Sequence, residues 1–366
     1  MLPTILAAAF AVLAAVGYLA AVLYWQERQI KGLAYLGLSL EHRRRVKRRL
    51  RFHSRLLTPL AWLISRFSRA VLAKVSFRHL GITGPVGTCS GESFERATRY
   101  VPQPEDVFIV TQMRSGTTWL QHLVYELLRR GHGDLVESGR ALYSVSPWLE
   151  AETGVPVADA PRIGDERPSR IIKTHLPAHL CPFDEHARYV YVVRHPVACF
   201  ASCVDFVATN AGPFAPTLDA LEAWFCSEEM WWGPWTEHVR GWWNRAERCD
   251  NVLFLRFEEL LDDLPSLAQR VAAWLDLQPM TADELHRVVA KCSFDYMRQH
   301  EEMFEMHPPR LFAVDRTLFV RGDKERHRAV AEPVRRRIAA WSAAELQGTT
   351  FPLAELYPDL GETTTP

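Results

Sequence analysis

The sequence predicts a three-layer α/β domain, with a mostly parallel central sheet of about five strands and helices on both faces. Three observations predict it. Short runs rich in β-branched or aromatic residues recur at Val107–Thr111, Ile171–Ile172, Tyr189–Val193 and Val252–Phe257, and such bounded apolar runs read as buried strands. The first run passes through a glycine-containing turn into Leu120, Leu123, Val124, Leu127 and Leu128, which recur at helical spacing. Finally, 366 residues suffice to bury a sizeable core.

Composition narrows the function classes. Lys plus Arg and Asp plus Glu both number 43, so no overall charge points to nucleic acid, although the first hundred residues are basic. The 7 cysteines show no C-x-x-C pair or zinc spacing, which favours unpaired thiols in a reducing compartment. No acidic triad suited to magnesium is visible, and no metal is expected.

The chain opens with an uncharged stretch, Leu2 to Trp25, dominated by Ala, Leu and Val. About 20 such residues cross a hydrocarbon core as a helix, and Tyr18, Tyr24 and Trp25 sit where aromatic rings favour the interface. No lysine or arginine precedes it, unlike a cleaved signal. Residues 1–27 are therefore expected to be a single-pass transmembrane anchor. Arg28, Lys31, Arg43, Arg44, Arg45, Lys47, Arg48, Arg49 and Arg51 follow, which by the positive-inside rule puts the remainder in the cytoplasm. Residues 28–80 form a basic juxtamembrane region. Within it, residues 52–76 interleave apolar side chains with Arg55, Arg66, Arg69 and Lys74. They suit either a helix lying on an anionic membrane surface or one packed on the globular domain. Gly, Ser, Thr and Pro mark residues 81–104 as a connector, which leaves residues 105–360 as the expected globular domain.

The stretch Gln112-Met113-Arg114-Ser115-Gly116-Thr117-Thr118-Trp119 joins the first strand to its helix. Such a junction directs loop N–H groups and the positive end of a helix at one point, where an anion is stabilised. Gly116 permits close backbone approach, three hydroxyls and Arg114 add donors, and Trp119 offers a flat face for a base. The stretch lacks the Gly-Lys-Ser/Thr ending of a Walker A loop.

Two further strand ends carry chemistry. Lys173 and His175 lie two apart in Lys173-Thr174-His175-Leu176-Pro177, so an extended chain projects them to one side. Histidine titrates near neutrality and can accept a hydroxyl proton, while a lysine can offset charge on a transferring group. After Tyr189–Val193, Arg194 precedes a helix expected from about Pro196, a plausible second anion site.

Together these motifs resemble the sulfotransferase family over roughly residues 105–345. Arg114–Trp119 is similar to the family's PKSGTTW loop, with arginine where lysine is usual, and Lys173–Pro177 to its KTHLP. Arg194 and Ser202 match its 3′-phosphate signature. Cys292-Ser293-Phe294-Asp295-Tyr296-Met297 resembles TSFxxM, and Arg321-Gly322 the C-terminal RKG. The tryptophan-dense run from Trp224 to Trp243, read alone as core packing, resembles GSWxxHVxxWW, while Phe257 stands where the family has a tyrosine.

The resemblance implies a P-loop-like nucleotide-binding fold and sulfuryl transfer from 3′-phosphoadenosine 5′-phosphosulfate to a hydroxyl or amine, without a metal. It implies His175 as base, with Lys173 and Arg114 offsetting charge. Arg114, Ser115, Gly116, Thr117, Thr118, Trp119, Arg194, Ser202, Phe257, Ser293, Phe294, Arg321 and Gly322 would contact the nucleotide. Trp148, in Ser146-Pro147-Trp148-Leu149-Glu150, either borders the acceptor with His175 or is ordinary core. The anchor and aromatic content suggest a small hydrophobic acceptor such as a sterol, phenol or lipid alcohol. The family's dimerisation pattern is not recognisable, which leaves the oligomeric state open. A nucleotide kinase and a catalytically silent membrane scaffold are the alternatives.

Overall fold

A computed structural model describes residues 2–30, 35–68, 71–152, 154–306, 308–312, 319 and 326–362. Its strands are β1 (Ser76–His79), β2 (Ile82–Pro85), β3 (Asp106–Thr111), β4 (Arg170–Thr174), β5 (Arg188–Val193) and β6 (Val252–Arg256). The first two form an antiparallel hairpin, and the other four form a parallel sheet in the order β4-β3-β5-β6. The main sheet thus has 4 strands, not about five. The extra extended residues pair with each other in the hairpin instead. All residues of β3 and β4 are buried, as expected of parallel strands covered on both faces.

The helices are α1 (Leu2–Ile30), α2 (Leu40–Ser65), α3 (Gly91–Thr98), α4 (Thr117–Leu128), α5 (Leu135–Ser138), α6 (Pro196–Ala211), α7 (Leu218–Phe225) and α8 (Trp235–Ala246). They continue as α9 (Phe257–Asp262), α10 (Leu264–Trp274), α11 (Ala282–Lys291), α12 (Phe294–Gln299) and α13 (Glu332–Leu346). Because β3 and β5 are neighbours, the loops that follow them, leading to α4 and α6, open at the same edge. Ligands of open α/β sheets bind at that carboxyl edge. At the opposite edge β3 and β4 are tied together: Arg170 Nε lies 2.8 Å from Asp106 Oδ1, and Tyr100 donates to Asp106 Oδ2 at 2.6 Å. The tryptophan-dense run is mainly core, with Trp235 and Trp242 fully buried.

Residues 81–104, expected to be a connector, are structured. Their glycines turn the chain at positive φ (+81° at Gly81, +78° at Gly87), and their serines cap α3, Ser90 and Ser93 exchanging capping hydrogen bonds. Phe94 and Ala97 anchor α3 in the core. Composition marked the turns and caps but hid the elements between them.

The C-terminal end of α1 and one face of α2 dock on the domain. α1 and α2 run antiparallel, Tyr18 meeting His53 and the Arg49 guanidinium lying 4.4 Å over the Trp25 ring. The buried Arg43 donates to the carbonyls of Glu302 and Gly139 at 2.6 and 2.8 Å. Gln26 Oε1 accepts the Leu311 N–H at 2.8 Å. α1 is long and apolar enough to cross a membrane. α6 is also long and apolar enough, but one side of it is buried in the domain through Val197, Cys199, Phe200 and Cys203.

Candidate active site

The turn after β3 is held in an unusual backbone shape. Arg114 has φ +67° and Gly116 φ +97°, and a non-glycine residue in the left-handed region persists only where its surroundings fix it. Here Arg194 Nη1 donates to the Arg114 carbonyl at 2.9 Å, and Arg114 Nε donates to Ser202 Oγ at 3.2 Å. The two anion motifs therefore interlock through hydrogen bonds. At Gly116 a β-carbon would lie 2.5 Å from the Phe257 ring, so both space and conformation demand glycine.

Beyond the turn, Thr117 bonds to Thr111 through their hydroxyls at 2.6 Å, and Thr118 to Tyr143 at 3.1 Å. Trp119 donates to the Cys292 carbonyl at 2.8 Å and meets Phe257 edge-on at 6.0 Å between ring centroids. The Arg194 guanidinium stacks 4.3 Å over the other partner of that contact, Phe257, an arrangement that favours a cation. Phe257 is thus a packing hub, a role its motif did not reveal.

Lys173 is fully buried at the end of β4. Its ammonium lies 3.4 Å from the centroid of Trp148, 3.3 Å from Tyr143 Oη and 3.6 Å from Met306 Sδ. Burial lowers its pKa to about 7, against a smaller raising effect of Glu150. Burial also lowers the pKa of Arg114. Among the described residues neither cation forms an ion pair within 4 Å, and buried charge without a counter-ion is costly.

His175 Nδ1 lies 2.8 Å from the Thr111 carbonyl. A carbonyl only accepts, so Nδ1 carries the proton and Nε2 presents a bare lone pair. Burial, followed by Lys173, holds the imidazole pKa well below its usual value. Trp148 and Trp232 flank the ring, with centroids 5.2 and 4.8 Å away.

Sequence reasoning missed Glu150 as a functional group. Its buried Oε1 accepts both the Trp148 indole N–H and the His175 backbone N–H at 2.7 Å. One carboxylate oxygen therefore aligns two candidate acceptor-side residues, and burial raises its pKa. A lone acid closing an apolar run was the only sequence signal. Tyr143 and Met306 left none, and Trp232 lay within the tryptophan-dense run read as core packing.

Arg114, Gly116, Thr117, Thr118, Trp119, Trp148, Lys173, His175, Arg194, Ser202, Phe257 and Phe294 all line one cavity of about 290 Å³. Ser115 and Ser293 do not. Ser115 is buried beneath the loop, 3.8 Å from Cys199 Sγ. Ser293 caps α12, accepting from the Tyr296 N–H and donating to the Ala290 carbonyl. Arg321 and Gly322 lie outside the described residues. Among the described residues, no group of three or more His, Cys, Asp or Glu side chains is placed to hold a metal.

Known proteins resemble the chain in sequence and in fold. Residues 104–325 match the sulfotransferase domain. The chain is 29% identical over 261 residues to the 3-alpha-hydroxysteroid sulfotransferase of Cavia porcellus, covering 69% of this chain and 88% of that one. It is 30% identical over 267 residues to human sulfotransferase 2B1, covering 70% and 71%. A solved structure of retinol dehydratase with androsterone and the inactive cofactor PAP superposes with a TM-score of 0.61 at 20% identity, over 79% of this chain and 95% of that one. Mouse sulfotransferase SULT7A1 complexed with PAP gives 0.56 at 18%, over 79% and 98%. At such identities the structures speak for the fold.

The chain belongs to the sulfotransferase family. It transfers a sulfuryl group from 3′-phosphoadenosine 5′-phosphosulfate to a hydroxyl, and the kinase alternative falls with that assignment.

Proposed function

We propose that this sulfotransferase is held to a membrane by α1, with residues 105–360 as its catalytic domain on the cytoplasmic side, and that it sulfates a small hydrophobic alcohol. The observation that carries the chemistry is the shared cavity, where the buried Lys173 and the partly buried Arg114 stand beside a histidine with a free lone pair.

The residues present fit the donor nucleotide. The N–H groups at the start of α4, the Thr117 and Thr118 hydroxyls and Arg114 would hold its 5′-phosphosulfate end. Arg194 and Ser202 would hold the 3′-phosphate, and Trp119, Phe257 and Phe294 would border the adenine. When bound, the nucleotide supplies the activated sulfuryl group and its leaving phosphate. His175 Nε2 takes the acceptor's hydroxyl proton as oxygen attacks. Lys173 and Arg114 offset charge on the moving group and on the phosphate left behind. Because Lys173 is fully buried, its charge acts with little screening.

The acceptor side is apolar: Leu72, Val75, Trp148, Trp231, Trp232 and Met306 line it. Two relatives named for hydroxysteroids, from Cavia porcellus, support an alcohol of that kind, and the exposed apolar length of α1 supports the anchor. Mass spectrometry of lipids from cells with and without the full chain, combined with transfer assays on the purified protein, tests this reading. A sulfated lipid alcohol that requires the nucleotide and His175 is expected. Sulfated products restricted to water-soluble acceptors would overturn it.

A further inference from the structure

One surface is unaccounted for by the catalytic site. α2 buries one stripe (Val46, Leu50, Leu57, Ala61) but exposes another, Phe52, Leu56 and Leu63, spaced by 4 and 7 residues. Trp62, Ile64, Phe67 and Val71 extend it, and Phe67 is 87% exposed. Contiguous exposed apolar surface of this kind marks an interaction site. Exposed Arg48, Arg55 and Arg66 flank the strip.

The strip continues to the cavity. Val75 and Val86 are both exposed and both line it, and they are joined by a backbone hydrogen bond, Val86 N–H to the Val75 carbonyl, at 2.9 Å. They therefore form part of its rim. Between strip and cavity, the buried face of α2 packs against Gly212–Phe214, and Phe214 lines the cavity. α1 lies antiparallel along α2, and its first turns are almost wholly exposed.

From these juxtapositions we infer that the outer face of α2, through Phe67 and Val71 to Val75, sits in the headgroup and upper acyl layer of an anionic bilayer, and that the cavity rim at Val75 and Val86 opens into that layer. The acceptor then reaches His175 laterally from the lipid without crossing water. Three features favour lipid over a protein partner: the strip adjoins a helix able to span a bilayer, its edges are basic, and its apolar side chains continue onto the rim. An amphipathic helix with this division of charge and apolar surface lies in the interface plane. The inference rests on the sulfotransferase reading of the cavity, and deepens it by naming where the substrate comes from.

The test uses the full chain in phosphatidylcholine–phosphatidylglycerol vesicles. Brominated lipids read the seat directly: a quenched fluorescence component should be present in the parent and missing in Trp62→Phe. The triple variant Leu56→Asp/Leu63→Asp/Phe67→Asp, whose residues lie outside the cavity, reads the access route. Its sulfation of a sterol dissolved in the vesicles should fall about tenfold or more. Its sulfation of a simple water-soluble phenol should stay within about twofold, which also shows that it folds. Unquenched Trp62 would overturn the seat, and equal effects on the two acceptors would overturn lateral access. If the parent sulfates neither acceptor, the transferase reading fails, while quenching still decides the seat.

Discussion

His175 donates its Nδ1–H to the carbonyl of Thr111, the last residue of β3, at 2.8 Å. The imidazole of one strand end is thus oriented by the backbone of its neighbour, immediately before the anion-binding turn begins. That bond fixes the tautomer as well as the direction, so the free nitrogen is poised as a base before any acceptor arrives.

Replacing His175 by Ala should lower kcat by roughly two to four orders of magnitude, the scale of a positioned acid–base group. Affinity for adenosine 3′,5′-bisphosphate, measured by calorimetry, should change little. Near-parental turnover would remove His175 from the role of base.

Lys173 should set the alkaline limit of the reaction. With its pKa lowered to about 7 by burial, it is cationic below that pH and neutral above it. If the cation is required, kcat/KM should decline as pH rises through about 7. His175 stays unprotonated across the same range, because its pKa is held far lower. The anionic donor raises the lysine pKa once bound, so the limb in kcat should lie at higher pH than that in kcat/KM. Lys173→Arg should shift the alkaline limb upward, and a profile unchanged in that variant would exclude Lys173 as the titrating group.

Gly116→Ala should destabilise the protein by about 1–2 kcal/mol from its left-handed conformation alone, with further loss from the clash at Phe257. Donor affinity should fall in parallel, because the displaced ring carries Arg194. Thermal unfolding and nucleotide titration read the two effects. Pairing the change with Phe257→Leu should restore part of the stability and leave the conformational share.

Glu150 is a positioning residue. In Glu150→Ala two buried N–H donors lose their acceptor, at about 1–3 kcal/mol each, and the tilt of His175 and Trp148 is released. Turnover should fall ~10–100-fold, the cost of a small misplacement, with donor affinity retained. Glu150→Gln keeps a carbonyl oxygen in place and should recover most of the loss. A kcat unaffected by either change would make the residue purely structural.

The anion-binding turn, the Lys173–His175 pair and Arg194 were legible because each follows a short apolar strand, where local pattern and chemistry coincide. The strand order was not legible, since it depends on long-range pairing. Glu150 and Tyr143 were hidden for a related reason: their importance lies in partners 25 residues away, His175 and Thr118, brought close only by folding. The helix and the second hairpin strand within residues 81–104 were missed because turn and cap residues outnumber the few apolar anchors between them.

The buried pair Asp106–Arg170 clamps β3 and β4 at their starting ends, far from the chemistry. The two strands are therefore pinned at the handle by this ion pair and at the tip by the His175–Thr111 hydrogen bond, so the cleft is set before a guest arrives. An adenylate bound across that cleft should therefore raise the melting temperature without changing the spacing of the two strands.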